Sequence, residues 1–100
     1  MRPRTKGRRE SALQRRCVAW VRSRGVQAGK LSQCVGLPDY IFFLPGGKPF
    51  IPEFKDPGGQ GERSPAQEWH VKRLKEQGYA AVFIDSWETF LKLMAKKGLK

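Results

Sequence analysis

The sequence predicts an α/β domain with a mixed sheet flanked by helices, in the order helix, three strands, helix, strand, helix. Three observations predict it: an amphipathic helical pattern near the N-terminus, apolar runs of strand length parted by Pro and Gly turns, and two later helices opened by capping residues. At 100 residues the chain makes one small domain, a size that buries only roughly 60 to 70 % of its unfolded surface and gains from self-association.

From Arg8 to Arg24 the pattern is helical. At about 100° per residue, Leu13, Gln14, Cys17 and Val21 share a face with Glu10, while Arg15, Arg16 and Arg22 lie opposite. Glu10 is then either a first-turn acid that complements the helix dipole or a polar group at the end of the buried stripe. Gly25 ends the helix, and Val26 to Leu31 reads as a short first strand. Asp39 to Leu44 is apolar on both faces after its first residue, the pattern of an interior strand covered on both sides. The turn Pro45 to Pro49 leads into a return strand, Phe50 to Lys55. Alternation puts Ile51, Glu53 and Lys55 on one face, and the odd, five-residue loop brings Asp39 to that same face. Pro52 is discordant, since it cannot donate to a ladder and usually marks an edge or a bulge.

Asp56 to Ser64 is rich in Gly and Pro and reads as a loop. Ser64 and Pro65 form an N-cap and first position for a second helix that runs to Gln77 and stops at Gly78. Gln67, Val71 and Leu74 fall on its inner face, and Trp69 points outward. Tyr79 to Ile84 is a buried-strand candidate. Asp85 reads as the cap of a last helix whose stripe is Trp87, Phe90, Leu91 and Met94. The folded domain spans 8–97, between a basic arm, 1–7, and a short tail, 98–100. The arm is either a solvated leader or a binding element.

Twenty Lys and Arg against nine Asp and Glu give a formal charge of +11, which favours a polyanionic partner, nucleic acid or an acidic membrane surface. The excess is concentrated: residues 1–30 carry net +9 and residues 31–100 only +2. Cys17, Cys34 and a single histidine, His70, lack the spacing of a zinc site or a disulfide framework, so both thiols are expected to stay reduced. No run approaches a membrane span and no apolar core of a secretory signal follows the basic N-terminus. These features lead to the expectation of a soluble, intracellular, cytoplasmic protein with no membrane partner.

Asp39, Glu53 and Lys55 carry the chemical argument. Two carboxylates projecting from adjacent strands suit Mg²⁺, a hard cation that takes oxygen ligands and retains waters. Such a pair in a basic groove is costly without a cation. The ion polarises a phosphodiester and helps generate hydroxide, while Lys55 positions that water or offsets phosphoryl charge. The bland alternative is a surface Glu53 and Lys55 pair of little energetic worth. Glu10 and Gln67, on two helices that can pack on the sheet, allow four polar groups to converge at one end of one sheet face.

With these residues in place the chain resembles the PD-(D/E)xK nuclease superfamily, and within it the virus-type replication-repair nuclease (VRR-NUC) domain. The matching segments are Glu10-Ser-Ala-Leu-Gln14, Gly36-Leu-Pro-Asp39, Glu53-Phe-Lys55 and Ser64-Pro-Ala-Gln67, in that order from Glu10 towards Met94. The resemblance implies a restriction-endonuclease-like core and a metal-dependent phosphodiesterase. Asp39 and Glu53 would bind Mg²⁺, or Mn²⁺ as substitute, with the Phe54 backbone carbonyl as third ligand and Glu10 acting just outside them or through water. Lys55 would orient the attacking water, and Gln67 would hold Lys55 or the scissile phosphate. It also implies 5′-phosphate and 3′-hydroxyl products, a Holliday-junction resolvase acting on branched DNA as a homodimer, and a bacterial or viral origin.

Among the remaining residues, Arg8, Arg9, Arg15, Arg16 and Arg22 are expected to contact DNA phosphates without reading sequence. Trp69 either stacks on a base, fills a dimer interface or is covered by a loop or the last helix. His70 reads as structural or solvated, Asp85 as a cap, and Asp56 and Glu62 as solvated loop acids. The competing functional readings are a non-catalytic basic nucleic-acid-binding module and the same nuclease chemistry on flap, nicked or linear substrates.

Overall fold

The computed structural model describes residues 7–31, 34–58 and 63–100. The predicted basic arm, apart from Gly7, and Glu62 lie outside the described residues. The first helix, α1 (Arg8–Ser23), buries Glu10, Leu13, Cys17, Val18 and Val21, the stripe its periodicity predicts. Gly25 then takes φ +78, and the Val26 N–H closes back on the Val21 carbonyl at 3.1 Å, which ends the helix.

The chain continues through β1 (Gln27–Lys30), β2 (Tyr40–Leu44), β3 (Lys48–Phe54), α2 (Pro65–Glu76), β4 (Ala80–Ile84) and α3 (Trp87–Lys96). The strands lie in sequence order, β1-β2-β3-β4. The first two pairings are antiparallel and the third, spanned by the α2 crossover, is parallel. A mixed sheet flanked by helices is therefore the architecture, as the element order predicts.

The main core lies on one sheet face. There Phe42, Leu44, Phe50, Phe54 and Ile84 meet Leu13, Cys17 and Val21 of α1 and Phe90 and Met94 of α3. Phe42 sits stacked on Phe50 and edge-on to Phe90, with ring centroids 6.1 and 6.4 Å away. Fully burying such a ring contributes about 1.5 to 3 kcal/mol. A smaller cluster on the other face joins Ile51, Ala81 and Val71, with Leu31, Ile41, Leu74 and Phe83 at its margin.

Several expectations change. Strand β2 is interior but not covered on both sides: Phe43 is 54 % exposed because α1 and α3 both take the opposite face, leaving α2, which packs on β4. The hairpin loop is three residues, Pro45–Gly47, since Leu44 already pairs with Lys48. It remains odd, so the face assignment of Asp39 is unaffected. Pro52 is at neither an edge nor a bulge; it is buried in the interior strand β3, opposite Val82 of β4. Ser86, rather than Asp85, caps α3, its hydroxyl accepting the Thr89 N–H at 3.1 Å, because the chain uses both residues to leave β4. Tyr79 is exposed and precedes β4, which starts at Ala80. Residues 98–100 are not all tail: the Leu99 N–H bonds the Met94 carbonyl at 2.9 Å and its side chain joins the main core. Among the described residues no helix is long and apolar enough to cross a membrane.

Burial pushes the Cys17 thiol from 9.0 up to about 12, with nearby Arg16 pulling weakly the other way, whereas Cys34 is exposed. Since the thiolate is the nucleophile, iodoacetamide near pH 8 should label Cys34 and spare Cys17 until the protein is unfolded, as peptide mass mapping will show. The unfolded chain releases the Cys17 proton near pH 9 and the folded chain only near 12. Stability should therefore fall as pH rises across that window, by at most about 1.4 kcal/mol per pH unit. Urea midpoints between pH 9 and 11 should show this trend, flattened in Cys17→Ala.

Candidate active site

The site is assembled from local structure outward, beginning with the start of α2. Ser64 is the N-cap, and its hydroxyl accepts the Gln67 N–H at 3.1 Å. Gln67, three residues in, returns its side-chain oxygen to the Ser64 N–H at 3.0 Å, which completes a capping box. That oxygen also accepts from Lys55 Nζ at 2.7 Å, and the amide nitrogen donates to Glu53 Oε1 at 2.7 Å. One carboxamide thus caps a helix and joins an acid and a base that leave the same face of β3.

Both charged partners are almost wholly enclosed: Glu53 is 2 % and Lys55 3 % exposed. The Lys55 ammonium lies 5.9 Å from the centroid of the Phe83 ring, whose face is also approached by Arg63 at 4.1 Å. Phe83 is opposite Glu53 in the parallel β3–β4 register. Charged groups held this deeply are retained only with good geometry and hydrogen bonds, and the Gln67 amide provides two of them.

Asp39 precedes β2, and the β2–β3 register, extended beyond Phe42 and Phe50, sets it across from Glu53. Its Oδ2 accepts the Phe54 N–H at 2.9 Å, which fixes the carboxylate against the backbone of the Glu53-Phe-Lys55 segment. The approach to Asp39 is fixed at Gly36, where φ is +86 and an added Cβ would come within 2.7 Å of the Ala66 Cβ. Only glycine fits so close to the first turn of α2. The loop carrying Asp39 and the helix carrying Gln67 are thereby locked together.

Glu10 arrives from the other layer. It is 1 % exposed, on the helix that packs against the face carrying Phe42 and Phe54. Direct hydrogen bonds join Glu53, Gln67 and Lys55, and Asp39 is tied to Phe54. One helical turn on, Gln14 Oε1 is buried without a hydrogen-bond partner among the described residues, a costly state for an acceptor.

The arginines are less uniform than the sequence suggests. Arg9 pairs with Asp56 at 3.6 Å, and its guanidinium lies against Gly58, so it pins the loop after Lys55, and Asp56 is not simply solvated. Arg16 stacks 3.9 Å over the Trp87 ring, and Arg22 donates to the Ala28 carbonyl at 3.0 Å. Arg8 and Arg15 are exposed on α1. A cavity of about 450 Å³ between α1 and α3 is lined by Arg9, Arg16, Pro57 and Trp87, away from Glu53. Trp69 is 60 % exposed, edge-on to His70 at 5.0 Å, so among the described residues neither a loop nor α3 covers it. His70 is half-buried, with Nε2 3.9 Å from the Cys34 thiol.

Among the described residues no three His, Cys, Asp or Glu side chains gather closely enough to hold a metal by themselves. The groups here that could serve a cation are oxygen donors, the Asp39 and Glu53 carboxylates and the Phe54 main-chain carbonyl between Glu53 and Lys55. That is chemistry for a hard cation that keeps part of its water shell, and it excludes a thiolate or imidazole cage. Sequence reasoning missed three contributors: the Phe54 N–H, the Gly36 packing against Ala66, and Phe83. For the first, Pro52 was the available signal.

Neither a family model nor a curated protein sequence matches the chain. A solved structure described as a VRR_NUC domain superposes with a TM-score of 0.78 at 24 % identity, covering 89 % of this chain and 97 % of that one. The protein is thus an α/β domain with an acid, amide and lysine network on its central strand. More particularly, it has the fold of a VRR_NUC domain.

Ser64→Ala removes one capping bond and should cost about 1 kcal/mol. Gln67→Ala also leaves Glu53 and Lys55 without their shared partner and should cost about 3 kcal/mol. Urea denaturation of the two variants checks the difference.

Proposed function

We propose that this protein is a Mg²⁺-dependent endonuclease of the PD-(D/E)xK type that hydrolyses phosphodiester bonds in branched DNA as a homodimer, with Mn²⁺ as a substitute ion. The observation that carries the reading is the buried chain Glu53, Gln67, Lys55, with hydrogen bonds of 2.7 Å on either side of the amide. The VRR_NUC fold of the neighbouring structure and the charge of +11 support it.

Asp39, Glu53 and the Phe54 carbonyl would hold the ion, with Glu10 acting through water. When bound, such an ion supplies positive charge to the phosphodiester and acidifies a water. Lys55 donates one of its ammonium hydrogen bonds to Gln67 and would direct its charge toward the attacking water or the developing phosphoryl charge. Gln67 holds Lys55 in that orientation and also bonds Glu53. The exposed Arg8 and Arg15 supply sequence-independent attraction to phosphates. Exposed Phe43 and Trp69 support an association surface, and a four-way junction, with two strands to cut, suits a two-site dimer.

Wild type with Mg²⁺ or Mn²⁺ should nick a four-way junction in symmetric pairs, in preference to flap or linear duplex of matched sequence. Asp39→Asn and Lys55→Gln should lose at least about 100-fold in cleavage rate while binding is retained. Strong binding by wild type without cleavage of any branched or linear DNA would sink the enzyme reading and leave a binding module. Sedimentation at micromolar concentration should give a dimer; a monomer both with and without DNA would refute self-association.

A further inference from the structure

We propose that Pro52 is a positioning residue: by withholding a backbone N–H from the β2–β3 ladder, it lets the Asp39 carboxylate take the Phe54 N–H and so fixes where that carboxylate stands. The consequence for cation binding rests on the reading of Asp39 as a ligand; the positioning itself does not.

Strand β3 has neighbours on both sides, and alternate N–H groups of such a strand point to alternate neighbours. The Lys55 N–H goes to the Ile84 carbonyl of β4 at 2.8 Å. The Phe54 N–H therefore faces β2, and so does the position two residues earlier, Pro52. Pairing with β4 accordingly runs unbroken through Pro52, from Phe50 and Ala80 to Phe54 and Ile84. Pairing with β2 stops at Phe42 and Phe50, although both strands continue past that point.

The register accounts for the stop. Extended from Phe42 and Phe50, it sets Tyr40 opposite Pro52 and Pro38 opposite Phe54. Pro52 has no hydrogen to give the Tyr40 carbonyl, and Pro38 has none for its own side of the next pair. Each of these pairs can form only one of its two bonds, and the ladder is not resumed. The Phe54 N–H bonds Asp39 Oδ2 at 2.9 Å instead, so a carboxylate stands where a main-chain carbonyl would otherwise be. A proline in the middle of an interior strand is ordinarily excluded; here its missing donor faces the one side where the sheet opens at the site.

Pro52→Val restores the N–H with a strand-forming side chain and touches none of the proposed ligands. In wild type, a through-hydrogen-bond NMR coupling should link the Phe54 amide nitrogen to the Asp39 side-chain carboxyl carbon, and Asp39→Asn should shift the Phe54 amide proton. In Pro52→Val both signatures should vanish, and Mn²⁺ binding followed by electron paramagnetic resonance should weaken at least about tenfold. The same valine side chain on an ester linkage at position 52, which again lacks the hydrogen, should restore both. A Phe54 coupling to the Pro38 carbonyl carbon in wild type overturns the proposal without any variant. So does a valine variant whose Phe54 amide still responds to Asp39→Asn, or an ester variant that behaves like the amide. Wild type that shows the Asp39 coupling but binds no Mn²⁺ supports the positioning and refutes the metal-dependent function.

Discussion

The Gln67 carboxamide is the contact on which the rest of the site depends. Its oxygen closes the capping box at the start of α2 and accepts from Lys55, while its nitrogen holds Glu53. Local helix formation and site geometry are therefore coupled. The capping box that opens the crossover helix brings the same amide to the buried acid and the buried amine, which are 2 to 3 % exposed. A hydrogen-bonding group shared by the two offsets part of the desolvation penalty of burying them.

Around this contact the fold divides its work between two faces. The face under α1 and α3 carries the aromatic core, with Phe42 in ring contact with both Phe50 and Phe90, and supplies the rigidity. The other face carries Glu53 and Lys55 and has only α2 as a helical cover, which leaves Phe43 exposed. A domain of this size has too little apolar surface to bury both faces fully. The uncovered portion is also where a second copy of the chain could add burial, in keeping with the proposed dimer.

The prolines show how a residue that weakens regular structure can serve a site. Pro65 opens α2 at a position where its missing N–H costs nothing. Pro52 and Pro38 interrupt the ladder between β2 and β3 while β4 goes on holding the central strand. The sheet is thus continuous along one side of β3 and open along the other, and the opening is where Asp39 meets the backbone of the Glu53-Phe-Lys55 segment.

Element order, the α1 stripe, the Ser64 cap with Pro65, the outward Trp69 and the shared face of Asp39, Glu53 and Lys55 were all legible in the sequence. They depend on helical periodicity, strand alternation and capping chemistry, which act over a few residues; even the shortened hairpin loop preserved the face assignment, since only its parity matters. What tertiary structure decided was which face each helix covers. That choice exposed Phe43, folded Leu99 into the core, and committed Arg9 and Arg16 to Asp56 and Trp87. It also decided that Pro52 would be buried mid-sheet, since the side to which a strand residue points its missing donor is set by its neighbours in space. Periodicity defines the faces an element has, but only packing between elements distant in sequence determines what each face meets.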